Sequence, residues 1–266
     1  MAKMNSVLSF LGKIGNLSAY KRRGNDETII RSKGGASSEK IKNDPVFVNT
    51  RRNNMEFGGR STAAKNIKKM MMPVNNLADL NIIPSLNSLL RPIQQMDTLG
   101  EWGRRSIKLS ADPRLLSGFS LNNKNSFDSI VRTPVEHVID RNLLKASVDI
   151  PALLPGINFF VPWTYPLFSF QITLGIVPDL EYNALKNKYE SIINYDHFSP
   201  VTVNTNWFPL SSGSPAISLD LNYPNVPPDQ SNIMLLSIGI RYGAPGASNQ
   251  IDQIKFAGAA KVLSAV

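Results

Sequence analysis

The sequence predicts an α+β protein, with an N-terminal β-hairpin plus helices and a C-terminal immunoglobulin-like antiparallel β-sandwich of about seven strands. Two observations predict this class. Apolar residues recur every three or four positions between Asp44 and Trp102, and every second position from about Val135 onward. We therefore expect two regions, a basic hairpin-helix arm for assembly at residues 1–110 and a β-sandwich domain at residues 111–266.

The hairpin is predicted from two apolar stretches, residues 17–20 and 28–31, which flank the turn-rich group 24–26. An isolated two-stranded hairpin is marginal in water. We therefore expect this hairpin to pack on another surface. Residues 36–43 are expected to form a polar connection.

A long helix is predicted over residues 44–72. Asp44 can cap its first turn, and Pro45 suits a position where the missing N–H is not needed. A second interpretation stays open, in which the adjacent Gly58 and Gly59 divide the segment into two helices.

One face of this helix has a small centre, at Gly59 and Ala63, that would let another backbone approach closely. Because the hairpin and the helix are expected to be unstable alone, we predict that they contact a second copy of the chain. The candidate subunit-contact residues are Tyr20, Ile29, Phe47, Met55, Gly58, Gly59 and Ala63. A second helical region, at residues 74–102 and interrupted by prolines, is predicted to pack on the first through an apolar stripe.

Seven rows of alternating residues predict the strands, each with one buried face and one wet face. They are residues 135–139, 144–150, 168–176, 201–207, 217–223, 236–242 and 254–262. Residues 182–194 are predicted to be a helical insertion. An aromatic group around Trp163 is interpreted either as a cap on the core or as a binding surface.

The charge distribution suggests an anionic partner or an acidic neighbouring subunit. The net charge is +9, and residues 1–69 hold 15 Lys/Arg and 5 Asp/Glu, against 14 and 15 in the remainder. The candidate residues for binding anions or nucleic acid are Lys21, Arg22, Arg23, Arg51, Arg52, Arg60, Lys65, Lys68 and Lys69. A subunit-facing basic surface is the other interpretation, since no known nucleic-acid motif is present and aromatic residues for base stacking are few there.

Residue types that typically form catalytic or metal sites are sparse in this chain. The chain has no cysteine and only two histidines, His137 and His197. No nucleophile elbow, phosphate loop or zinc-ligand set can be read from the sequence. We predict no catalytic residues, no metal and no cofactor, and hence no enzyme.

The longest apolar clusters are much shorter than the roughly 20 residues of a spanning helix, and no signal peptide is seen. We expect a cytoplasmic chain, or one within an assembly built in the cytoplasm.

The head of the chain carries three motifs: RxKGG at residues 31–35, IKNDPxF at 41–47 and TRxNNxEFG at 50–58. In these it resembles a bacterial protein family with a similar basic head and a β-sandwich tail. The family has no assigned activity, so the resemblance implies the two-part architecture and no function.

These observations together predict a structural subunit of a self-assembling homopolymer, such as a filament, a tube or a phage-like shell, whose N-terminal arm docks on neighbours. The alternative is a protein that packages or coats nucleic acid through its basic head.

Overall fold

The structure is a computed structural model that describes residues 2–4, 10–21, 27–32, 34–192, 194–227, 229–246 and 250–266. The chain divides into two compact units, Met1–Asn53 and Asn54–Val266.

The first unit contains a four-stranded antiparallel sheet. Its strands are β1 (Ala2–Met4), β2 (Gly12–Ile14), β3 (Leu17–Lys21) and β4 (Thr28–Ser32), in the order β1-β4-β3-β2. The predicted hairpin is confirmed as β3 and β4, while its predicted turn at 24–26 lies outside the described residues. Strands β1 and β2 were not predicted.

Residues expected to be a polar connection form a short helix instead, α1 (Ser38–Asn43). The physical reason is a cap: the Ser37 hydroxyl oxygen accepts a hydrogen bond from Lys40 N at 3.2 Å. A 3₁₀ turn (Pro45–Phe47) follows, and the Asp44 side chain accepts from Val46 N at 2.9 Å.

The long helix is confirmed as α2 (Val48–Met70), and it continues through both glycines, so the interpretation as two helices is wrong. The second helical region is two elements, α3 (Met72–Asn75) and α4 (Ile83–Met96). Pro92 lies inside α4 without ending it.

The second unit also contains α5 (Phe127–Ile130), two 3₁₀ turns and a series of antiparallel strands. The strands are β5 (Glu136–Asp140), β6 (Lys145–Ile150), β7 (Leu167–Pro178), β8 (Glu181–Asn183), β9 (Lys188–Glu190), β10 (Val201–Asn204), β11 (Phe208–Pro209), β12 (Ile217–Asn222), β13 (Asn232–Pro245) and β14 (Ile251–Ala265).

These strands form a five-stranded sheet in the order β10-β7-β13-β14, with β11 also on β7, and a three-stranded sheet in the order β12-β6-β5. The α+β class with antiparallel sheets is therefore confirmed, whereas an immunoglobulin-like arrangement of seven strands is not. Strands β8 and β9 pair with each other as a two-stranded hairpin.

The predicted helix at 182–194 is wrong, because most of this segment, through Glu190, belongs to the β8–β9 hairpin. The Asn183 side chain accepts hydrogen bonds from Leu185 N and Lys186 N, and Asn187 has a φ of 51°. Both features are typical of turns.

Strands β7 and β13 are buried on both faces, so the predicted wet face is wrong for them. Met70 at the end of α2 and Leu77 in the turn after α3 cover that face where its residues are smallest. A Cβ added at Gly175 would lie 2.6 Å from Met70, and one at Gly239 would lie 2.6 Å from Leu77. The helices after Asn54 therefore share one compact unit and one core with the strands, whereas the sequence analysis grouped them with the N-terminal arm.

Candidate functional site

The described part of residues 1–53 carries an apolar patch at the turn between β2 and β3. Ile14 and Leu17 lie directly opposite each other, and their exposed fractions are 59% and 44%. Leu11, immediately before β2, is 64% exposed. In the same part of the chain, the buried residues are Ala19, Thr28 and Ile29. This unit therefore exposes much of its apolar surface.

Three predicted contact residues lie in this unit. Tyr20 on β3 is partly buried and lies opposite Ile29 on β4, with the guanidinium of Arg31 5.7 Å from its ring. Phe47 is partly buried at the end of the 3₁₀ turn. Tyr20 and Ile29 thus form a cross-strand pair within the sheet. The apolar patch of Leu11, Ile14 and Leu17 was not singled out from the sequence.

The remaining predicted contact residues lie on α2 and are mostly covered by the chain itself. Ala63 is fully buried, and Gly59 lies against Tyr189, whose ring would be 2.8 Å from an added Cβ. Met55 is partly buried, and Gly58 is exposed with nothing within 4 Å of an added Cβ. The small centre of the helix therefore receives a side chain of the same chain.

Several predicted basic residues have local roles. Arg51 Nη1 donates to Ile41 O at 2.9 Å and to Asp44 O at 2.8 Å, which ties α1 to the start of α2. Arg60 Nη1 donates to Gln94 Oε1 at 2.5 Å, and Lys69 Nζ donates to Asp196 O at 3.2 Å.

The other predicted basic residues differ in exposure. Lys21, Arg52 and Lys65 are exposed, and Lys68 is partly buried. Arg22 and Arg23 lie outside the described residues.

A buried ion pair, absent from the sequence analysis, joins α2 to the segment after α4. Glu56 is 4% exposed, and Arg105 donates to both of its carboxylate oxygens, at 2.7 and 2.8 Å. Gly103 N donates a third hydrogen bond at 2.9 Å. Burial alone would raise the pKa of Glu56, but the hydrogen bonds from Arg105 and Gly103 outweigh it and lower that pKa.

A layer of neutral polar groups continues from this pair. Gln94 is fully buried, and its amide nitrogen donates to Arg105 O at 3.0 Å and to the Tyr189 hydroxyl at 3.4 Å. Burial raises the pKa of Tyr189, so this phenol stays protonated. The arrangement holds α2, α4 and the β8–β9 hairpin together.

Beside this layer is a cleft of about 470 Å³, lined by one face of α2 and by the β8–β9 hairpin with the segment after it. Lys186 and Lys188 both pair with Glu190, at 2.9 and 3.2 Å. The hydrogen bond from Lys186 is the largest cause that lowers the pKa of Glu190 to about 2. Lys186 and Lys188 therefore already have a carboxylate partner, whereas Lys69, which also lines the cleft, donates to the backbone oxygen of Asp196.

The outer face of the β12-β6-β5 sheet is exposed and acidic. Alternate residues of β6 (Ala146, Val148 and Ile150) are buried, so the positions between them face outward. The outward positions in register are Glu136, Val138, Asp140, Lys145, Ser147, Asp149, Ser218, Asp220 and Asn222. They include four carboxylates and one lysine. Glu136 lies directly opposite Asp149, a like-charge pair that is unfavourable without a counter-charge.

The aromatic group around Trp163 packs against the core. Trp163 and Tyr165 are partly buried, with ring centroids 5.3 and 5.5 Å from Tyr242, which is fully buried. The two histidines lie on different segments: His137 is on β5, and the exposed His197, after β9, has its ring centroid 4.2 Å from that of Phe198.

Comparisons with protein-family models, with curated proteins and with solved structures found no match. In the described part of the chain, no helix has both the length and the apolar character needed to span a bilayer.

Proposed function

We propose that the chain is a structural subunit of a self-assembling homopolymer built in the cytoplasm, in which residues 1–53 of one copy dock on a neighbouring copy. The observation that carries the proposal is the exposed apolar patch of Leu11, Ile14 and Leu17 in a unit whose described residues are seldom buried. A unit of this size buries too little apolar surface to be stable without further contacts.

The strand order supports docking by this unit. Strand β2 lies at one edge of its sheet, next to the apolar patch. The backbone groups along a sheet edge can pair with a strand of another molecule. Side chains such as Ile14 would then gain neighbours on the same face of the extended sheet.

The charges support association between different surfaces of two copies. Residues 1–53 hold 11 Lys/Arg and 4 Asp/Glu, whereas the outer face of the β12-β6-β5 sheet carries mainly carboxylates. Complementary charge favours encounter and fixes orientation. Because the two surfaces are different, such contacts repeat head to tail and generate rings or open filaments.

The test is the mass of the purified chain by light scattering over a range of concentrations. We expect masses well above the 29.4 kDa of one chain, with negative-stain images that show a filament, a tube or a shell. The Ile14→Asp, Leu17→Asp double variant should lower the mass because it charges the patch. Val226→Asp is the control, since Val226 is 79% exposed in the second unit.

A monomer at every concentration and salt level would contradict the proposal. So would a double variant that assembles as well as the wild type and the control.

A second candidate function is the coating of nucleic acid. Lys21, Lys40 and Lys42 are exposed, and none of them pairs with a carboxylate among the described residues. Changing all three to Gln should weaken binding to generic duplex DNA and reduce its salt dependence. Lys255→Gln, an exposed lysine on β14, is the control. No DNA binding by the wild type at low salt would rule this candidate out.

A further inference from the structure

Arg241 lies on β13 in a ring of very small residues. The residue opposite it on β14 is Gly258, and its same-face neighbours along β13 are Gly239 and Gly243. The residue opposite it on β7 is Ser169. The residues directly beside Arg241 within the sheet are therefore small, and the diagonal positions on β7 are Leu167 and Gln171.

The space over these glycines is filled by apolar side chains from elsewhere. Leu77 lies over Gly239 and Gly258, and Trp207 and Ile251 lie over Gly243. The guanidinium carbon of Arg241 is 4.8 Å from the centroid of the Trp207 ring. Arg241 is thus a partly buried cation flanked by apolar walls.

Few of the N–H donors of Arg241 have an acceptor within the part of the protein that the structure describes. Its Nε and Nη2 both donate to one acceptor, Ser169 Oγ, at 3.4 and 3.3 Å. Among the described residues, its Nη1 makes no hydrogen bond and no carboxylate lies within 4.0 Å. By contrast, Arg105 has the Glu56 carboxylate, and Arg141 donates to several oxygens around Asn232.

A charge in such surroundings is unfavourable, and burial lowers the pKa of Arg241. Packing alone would be served as well by an apolar side chain of similar length. A planar guanidinium beside an aromatic ring is suited instead to two parallel hydrogen bonds with a carboxylate.

We propose that Arg241 is the anchor of a carboxylate-binding site, with Trp207 as its aromatic wall and Ser169 as the group that orients it. The carboxylate comes either from a small organic acid or from an acidic side chain of a second copy. This inference does not depend on the proposed function.

The first test is thermal unfolding in sodium acetate and in sodium chloride at equal ionic strength. Acetate should raise the Tm of the wild type by about 2 °C relative to chloride, as expected for a weak ligand of the native state. Arg241→Lys keeps the charge but loses the planar fork, so its response to acetate should disappear. Arg132→Lys is the control, because Arg132 is an exposed arginine 3.6 Å from the ring of Phe160.

The Tm of Arg241→Met distinguishes a binding role of Arg241 from a structural one, because the two roles predict opposite changes. Removing an unpaired cation from apolar surroundings should leave the Tm unchanged or raise it, whereas loss of a structural arginine lowers it. If this variant does not fold, Arg241→Lys still decides through its response to acetate.

The second test separates the two sources of the carboxylate. If a second copy supplies it, Arg241→Lys should lower the mass seen by light scattering, acetate should compete with assembly, and Arg132→Lys should do neither. If the wild type shows no specific response to acetate and Arg241→Lys assembles like the wild type, the site does not exist. A homopolymer that forms normally in that case would leave the proposed function intact.

Discussion

Arg105 and Glu56 form a two-point hydrogen-bonded ion pair across 49 residues of sequence, with Nε–Oε1 and Nη2–Oε2 distances of 2.7 and 2.8 Å. The Glu56 side chain is 5% exposed and that of Arg105 is 22% exposed. The pair therefore fixes the segment after α4 onto α2 from inside the protein. Charged groups in this position must stay paired, because an isolated buried charge is strongly destabilising.

We predict that Glu56→Gln lowers the free energy of unfolding by about 3 kcal/mol, because it leaves Arg105 without its counter-charge. The measurement is urea unfolding followed by circular dichroism near neutral pH. Glu101→Gln is the matched control, since Glu101 pairs with Arg104 at 3.5 Å on the surface with 81% exposure. The control should change stability by less than about 1 kcal/mol. Equal effects of the two variants would contradict the role of the buried pair.

The same pair predicts a pH dependence. The pKa of Glu56 in the folded chain lies below its ordinary value of 4.5. Its contribution to stability is therefore fully present above pH 4.5 and is lost as the pH falls through the lowered pKa. The difference in urea midpoint between wild type and Glu56→Gln should be constant above that pH and shrink below it. A difference that grows toward low pH would show the opposite sign and refute the assignment.

The two adjacent glycines of α2 predict opposite effects of the same substitution. An added Cβ at Gly58 meets nothing within 4 Å, whereas one at Gly59 lies 2.8 Å from the Tyr189 ring. Gly58→Ala should stabilise the protein by about 1 kcal/mol through helix propensity. Gly59→Ala should destabilise it by about 1–3 kcal/mol, because Tyr189 has to move. Thermal unfolding of the two variants compares them directly, and a stabilising Gly59→Ala would mean that Tyr189 does not occupy this position.

We predict that removing the Asn122 side chain, which hydrogen-bonds to β14, destabilises the protein. Its amide nitrogen donates to Leu77 O at 2.8 Å, and its amide oxygen accepts from Ala260 N at 2.9 Å. Asn122→Ala should cost about 2–4 kcal/mol, since both buried backbone groups would lose their partner. Amide hydrogen exchange should also become faster at Ala260. Asn123→Ala is the control because Asn123 is exposed, and equal effects of the two variants would contradict this role of the Asn122 side chain.

Local rules predicted the elements well where each residue's role depends on its neighbours in sequence. The long helix and most of the period-two strands were found, because capping, helix spacing and strand alternation act within a few residues. The hairpin of β8 and β9 was missed, since residues 182–194 are rich in helix-forming side chains. There, two asparagine-stabilised turn features and pairing between strands outweigh propensity.

The proposed assembly surface was predicted only in part. The sequence pointed to the same end of the chain as this proposal but singled out Gly59 and Ala63, which the chain covers with its own residues. The patch of Ile14 and Leu17 was missed because β2 is only three residues long and has no alternating pattern to recognise.

The sequence alone determined the class of the protein, the basic character of its N-terminal part and the position of its longest helix. These properties follow from composition and from interactions between residues close in the chain. Only the tertiary structure decided that Tyr189 covers Gly59, that Glu56 meets Arg105, and that helices bury a sheet face expected to be wet. Each of these contacts joins segments that are distant in sequence. Which segments meet is determined by how side-chain volumes fit and how buried charges pair in the folded chain, and local sequence patterns do not contain this information.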